Sequence, residues 1–186
     1  MLKDLVLKNR SYRGYDESRR ITREEMLELV DLARLVPSAA NRLPLRYHIS
    51  SEKAEVDAVQ ALTLWAGALA HLNLPYEGHR PTGFVTICHD TTCGQNLMDV
   101  GIAAQTLLLA AAEKGFGGCM IGSFKKKELA ELLGFEENIV PSLVIALGVP
   151  DEEIHLVEAE GKETTYYRDE NDVHYVPKRK LEDILV

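Results

Sequence analysis

Hydrophobic and polar positions alternate along this chain in a way that separates helices from strands. At 22-TREE-25, Thr22 can accept from the amide three positions on while Glu25 reaches back, a capping box. Met26, Leu29, Val30 and Ala33 follow at helical spacing, predicting a helix to about Leu35, ahead of Pro37. Residues 46–50 (RYHIS) read as a short strand, 53–70 as helical, and 71–83, with two prolines and two glycines, as a loop. A second strand is predicted at 84–89 (FVTICH). From about Asn96 to Lys114 the pattern is apolar nearly all round, so that helix must be covered on every side. A single small domain covers such a helix poorly, which points to a partner subunit.

Gly115 ends that helix, and 117–121 (GGCMI) begin another strand. Residues 125–133 form a short amphipathic helix stopped by Gly134, 142–149 (SLVIALGV) a buried strand, and 172–177 (DVHYVP) a last strand. The order lacks the regular alternation of a parallel doubly wound sheet. It reads as an α+β fold, a central sheet flanked by helices, with the 186 residues forming one domain.

Composition narrows the function. With 46% hydrophobic and 27% charged residues the chain is an ordinary globular protein, and its net charge of −8 argues against a nucleic-acid partner. Charges at Lys3, Asp4, Lys8 and Arg10 break any secretory apolar region, and the run from Val100 to Ala112 is too short for a bilayer. Three cysteines without a CxxC pair suit the reducing cytoplasm, and six scattered histidines give no metal-ligand spacing. The expectation is a cytoplasmic protein with no membrane span and no metal. No Ser/His/Asp set or carboxylate pair suggests itself, and His48, His89 and Cys119 read as packing residues.

Positive charge is local, and its first cluster is 9-NRSYRGY-15. Arginine suits phosphate because its planar fork donates two parallel hydrogen bonds and stays charged. A solvated helix end pairing with Asp4 or Asp16 is the plainer reading of the same residues. Three further stretches favour an anion site. They are 37-PSAANRLPLRY-47, where Ser38 and Asn41 offer short polar groups, the glycine-rich 117-GGCMIGSF-124, and the basic 176-VPKRK-180.

In this order the four stretches resemble the nitroreductase family of FMN-dependent oxidoreductases. The family's Arg-Arg-Ser-x-Arg start, its Pro-Ser-x-x-Asn-x-Gln-Pro segment and its Gly-rich strand end correspond to Asn9 to Arg13, Pro37 to Pro44 and Gly117 to Gly122. The stretch from Asp99 to Gly118 is similar to the family's central dimer helix, and 147-LGVP-150 to the strand end that follows. The resemblance implies a mostly antiparallel sheet and a homodimer with two FMN sites, each built from both subunits. It implies that Arg10, Ser11 and Arg13 hold FMN's phosphate, ribityl chain and ring edge, with Lys178 and Arg179 completing the phosphate cage. Arg13 would also stabilise negative charge on the reduced ring. Pro37, Ser38, Ala39 and Asn41 would come from the other subunit, and Met120, Ile121 and Gly122 would border the ring with a backbone N–H.

The implied activity is hydride transfer from NADH or NADPH to FMN and on to a small-molecule acceptor, a nitroaromatic or quinone, by a ping-pong scheme. A protein that stores or senses FMN without nicotinamide turnover is the alternative. Asn9 and Leu43 depart from the family pattern, which has arginine and glutamine there. The 51–83 region is compact, leaving Trp65, Tyr76 and the 71–83 loop to shape the open face.

Overall fold

The computed structural model describes residues 1–94 and 97–186. Its central sheet joins β1 (Tyr15–Asp16), β2 (Leu45–Ser50), β3 (Gly83–Asp90), β4 (Gly117–Ile121) and β5 (Ile139–Pro150). All pairings are antiparallel: β2 lies on β3, β3 on one edge of β5, and β4 and β1 in succession on its other edge. Side chains alternate across a pleated strand, so β3 and β5 feed two cores. Val85, Ile87, Ile145 and Leu147 pack on one face with Met26 and Leu29 of α2 (Arg23–Ala33) and Leu107 of α4 (Leu97–Glu113). Phe84, Val144 and Ala146 pack on the other with Val56 and Val59 of α3 (Lys53–Gln60) and Leu129 of α5 (Lys126–Leu132).

The capping box forms as the sequence reads: Thr22 Oγ accepts from the Glu25 amide at 3.1 Å, and Glu25 accepts from the Thr22 amide at 2.8 Å. The helix expected over 53–70 ends at Gln60 instead. Beyond it Thr63 bridges to Phe124, the Leu64 amide donates to Ser123 at 2.8 Å, and the Lys125 amide donates to Leu62 at 2.9 Å. These long-range bonds pull the chain off the helical path, and a short 3₁₀ turn follows at Gly67–Leu72. The expected start of the apolar helix at Asn96 lies outside the described residues.

Two features carry no clear periodic signal. Helix α1 (Leu2–Lys8) buries none of its residues and lies along α4. At the C-terminus, β6 (Ile154–Glu158), β7 (Tyr167–Arg168) and β8 (His174–Lys178) form a separate small sheet, β8 central, parallel to β6 and antiparallel to β7. The predicted strand at 172–177 is thus β8, which starts two residues later and ends one later. Helix α4 is covered by the sheet on one side only: Val100, Ala103, Ala104, Leu107 and Leu108 are buried, whereas Leu97, Met98 and Ile102 are exposed, Ile102 by 43%. No helix among the described residues is long and apolar enough to cross a membrane.

Candidate functional site

The segment Arg10–Arg13 leaves α1 and is fixed beside β4. Ser11 bridges to Gly118 in parallel, and the Tyr12 amide donates to the Gly118 carbonyl at 3.1 Å. This seam explains the glycine pair. A Cβ on Gly117 would sit 2.4 Å from the Tyr12 ring, and one on Gly118 would sit 2.5 Å from the Ala146 carbonyl oxygen. The sequence left these two glycines open between room for a ligand and a plain strand end; their close approach is to the protein itself, while Gly122 faces open space.

Beside the seam lies a cavity of about 320 Å³, which gathers Arg10, Ser11 and Arg13 with Met120 from β4, Gln105 and Leu108 from α4, Tyr166 just ahead of β7, and His174 and Lys178 from β8. Parts of the chain more than 150 residues apart in sequence therefore meet there. Arg10 donates to the Val6 carbonyl at 2.6 Å, and Arg13 donates to the Ser11 carbonyl at 3.1 Å. The Arg13 guanidinium also lies over the Tyr166 ring, 4.7 Å from its centroid. Even so, the Nε of each arginine and both ring nitrogens of His174 are buried without a hydrogen-bond partner. Buried donors left unpaired carry a large desolvation cost, so this cavity is chemically unsaturated toward an anion.

Glu152 ties the arginine segment to the C-terminal sheet. One of its oxygens accepts from the Arg13 amide and the other from Arg168, whose second terminal nitrogen donates to Asp172 at 2.7 Å. The Glu152 and Arg168 side chains are each only 4% exposed. Burial raises the Glu152 pKa, opposed by the Arg13 amide and the Arg168 charge. Burial, then the charges of Arg13 and Arg168, hold the His174 imidazole down at about 4, so it is neutral near pH 7. Burial pushes the Cys119 thiol to about 11, in keeping with a packing role.

The remaining sequence-predicted residues are dispersed within one chain. Lys178 lines the cavity, whereas Arg179 is exposed and does not. Met120 lines it through a half-exposed side chain, and the Ile121 side chain points into the core, leaving only its backbone for a ligand. Pro37, Ser38, Ala39 and Asn41 sit elsewhere, at the start of α4. There Ser38 donates to Asp99 at 2.7 Å, the Ala39 amide donates to Asp99 at 3.1 Å, and Ser38 Oγ accepts from the Leu43 amide at 3.1 Å. Asp99, 3% exposed, holds a loop in which Ala40, Asn41 and Leu43 all adopt positive φ. Such strain persists only where surroundings impose it. Trp65 lines a wider cavity of about 720 Å³ with Ser123, just past the end of β4, and Tyr76 faces Asp172 on the far side of Arg168. Among the described residues no group of three or more His, Cys, Asp and Glu side chains is placed to hold a metal.

Asp99, Glu152, Tyr166, Arg168 and His174 escape sequence reasoning. Each is a single polar residue outside any motif, and Asp99 and Glu152 take partners 60 or more positions away. His174 alone gave a signal, as a histidine inside a predicted strand.

An antiparallel five-stranded sheet clad with helices, with a cation-lined cavity beside its β4 edge, defines a small α+β ligand-binding protein. The family model described as the nitroreductase family matches residues 6–86 and 94–149, and the chain belongs to that family. It is 26% identical over 167 residues to an Archaeoglobus fulgidus protein provisionally named NADH dehydrogenase/NAD(P)H nitroreductase, covering 85% of this chain and 90% of the relative. It is 28% identical over 176 residues to YodC of Bacillus subtilis, provisionally an NAD(P)H nitroreductase, covering 77% and 87%. Among solved structures, a provisionally named nitroreductase of Exiguobacterium sibiricum in complex with FMN superposes with a TM-score of 0.69 at 19% identity, over 82% of this chain and 89% of that one. A nitroreductase family protein of Clostridium difficile also gives 0.69, at 18% identity over 100% and 96%. The fold is shared.

Proposed function

We propose that the chain is an FMN-dependent oxidoreductase, taking hydride from NADH or NADPH and delivering it to a small acceptor such as a nitroaromatic or quinone by a ping-pong scheme. The observation that carries this reading is the meeting of Arg10, Arg13 and Lys178, with unpaired arginine donors, in one cavity of an acidic protein. An FMN-complexed relative of the same fold and the NAD(P)H nitroreductase names of other relatives support it.

FMN, when bound, supplies the hydride chemistry. The chain's own residues bind and orient it. Arg10, Arg13 and Lys178 hold the phosphate by charge-assisted hydrogen bonds. Ser11 adds a hydroxyl, Arg13 a fixed positive charge, and the β4 end at Met120, Ile121 and Gly122 a backbone edge. Arg179, exposed beside Lys178, contributes charge at the rim. Pro37, Ser38, Ala39 and Asn41 complete the site from a second subunit, because within one chain they line a different cavity. The exposed apolar residues of α1 and α4 and a groove between α1, α2 and α4, lined by Leu5, Leu32, Leu35 and Leu109, support a homodimer.

The test is an absorption spectrum of the purified protein followed by anaerobic titration with each nicotinamide. The expected protein is yellow, or turns yellow with FMN, and bleaches with NADH or NADPH. A protein that stays colourless with added FMN overturns the reading. A yellow protein that neither nicotinamide bleaches is an FMN store or sensor instead.

A further inference from the structure

We propose that Tyr166 is a positioning residue: its ring holds the Arg13 guanidinium away from Glu152 and on the flavin side, which fixes the positive charge offered to a reduced ring. This rests on the flavin reading above and adds to it the group that keeps Arg13 in place.

Tyr166 lies just ahead of β7, is partly buried, and lines the cavity together with Arg13. The Arg13 guanidinium carbon sits 4.7 Å from the centroid of its ring, a cation over an aromatic face. The ring is itself held. Its hydroxyl accepts from the Ala68 amide at 3.4 Å, and it meets the His174 ring edge-on with centroids 5.6 Å apart. Tyr166 thus touches the 3₁₀ turn at Gly67–Leu72, strand β8 and the N-terminal segment at once.

The informative feature is the carboxylate that the Arg13 side chain leaves alone. Glu152 accepts from the Arg13 backbone amide and from Arg168, and its side chain is 4% exposed. Yet among the described residues the Arg13 guanidinium forms no ion pair. A carboxylate with two donors has further acceptor sites, and opposite charges attract strongly where water is excluded. Arg10 and Lys178 line the same cavity as Arg13 and repel a third cation there. Both forces draw Arg13 toward a second, smaller cavity of about 240 Å³, which it lines with Glu152 and Asp172. Tyr166 lines the first of these cavities and not the second. Against the two forces stand one hydrogen bond from Arg13 to the Ser11 carbonyl and the Tyr166 ring face. Without the ring, the guanidinium folds back toward Glu152. Reduced flavin then loses more than oxidised flavin, because the added negative charge is on the reduced ring.

The midpoint potential of bound FMN distinguishes this role from packing. It is measured by reductive titration against a reference dye for the wild type, Tyr166→Phe and Tyr166→Leu. Phenylalanine keeps the aromatic face and loses only the hydroxyl; leucine keeps apolar bulk and loses the face. The expected result is a Y166F potential close to that of the wild type and a fall of about 30 mV in Y166L, which is about a tenfold smaller preference for reduced over oxidised FMN in a two-electron couple. An unchanged or raised potential in Y166L overturns the assignment, as does an equal fall in Y166F. Should Y166L fail to fold or to hold FMN, pentafluorophenylalanine at position 166 decides. It keeps the shape of the ring and reverses the charge of its face, so the potential should fall below that of Y166F. Equal potentials overturn the proposal. Failure of the wild type to bind FMN at all defeats the flavin reading first, and is seen before any variant is made.

Discussion

His174 shows how much one buried side chain can impose on a protein. In the unfolded chain it takes a proton near 6.5, in the folded chain only near about 4. Between those values the unfolded state binds more protons, so folding stability falls as pH drops from 6.5 to about 4 and levels off below. The fall attributable to this residue is on the order of 3 kcal/mol. Urea unfolding of the wild type and H174Q at several pH values should therefore show the wild type losing ground to the variant on acidification. Parallel curves would mean that the ring is not held neutral. A single residue's type said little of this in advance, because the burial and the two arginines responsible come from other parts of the chain.

Among the elements, the most consequential contact is the seam between the arginine segment and β4. Gly118→Ala places a methyl group against the Ala146 carbonyl and the Leu108 side chain, neither of which has room. Overpacking of this kind costs roughly 1–3 kcal/mol, and here it also pushes Ser11 and Tyr12 away from the strand. The expected outcome is a lower urea midpoint together with weaker FMN binding. G118A with unchanged midpoint and affinity would show that the seam does not position the arginines.

Elements are also where the sequence was most readable. The Thr22 capping box, the buried runs of β3 and β5, and the apolar α4 follow from period and composition alone. The helix from 53 broke early because Leu62 to Leu64 pair with Ser123 to Lys125, a long-range contact with no local signature. The α1 helix, too short and too exposed, and strands β6 and β7 fall below what periodicity resolves, whereas β8 was read to within two residues. The four motifs marked Arg10, Arg13, Met120 and Lys178, which the fold brings together. They could not mark Glu152, whose carboxylate joins the arginine segment to Arg168 of the C-terminal sheet.

For the whole molecule, the uncovered face of α4 is the feature that calls for a second copy. Ile102→Glu puts a charge in the middle of that face without touching the core, so the subunit should still fold. Sedimentation should then show a dimer for the wild type and a monomer for I102E, with flavin retention falling as the partner's Ser38 loop is lost. A wild-type monomer at micromolar concentration, or an I102E dimer, would move the interface elsewhere.

Strand β5 has strand neighbours on both edges from Val144 to Leu147, whereas the small C-terminal sheet is joined to the rest chiefly by the Glu152 clasp. The cavity draws residues from both. Amide exchange should accordingly occur in two tiers, with β5 opening only when the whole chain does and β8 opening earlier by a local route. A ligand spanning the boundary would close that gap, since it stabilises the weaker tier by its own binding free energy. The slow exchange of β8 amides would then become a gauge of occupancy, readable without following any reaction.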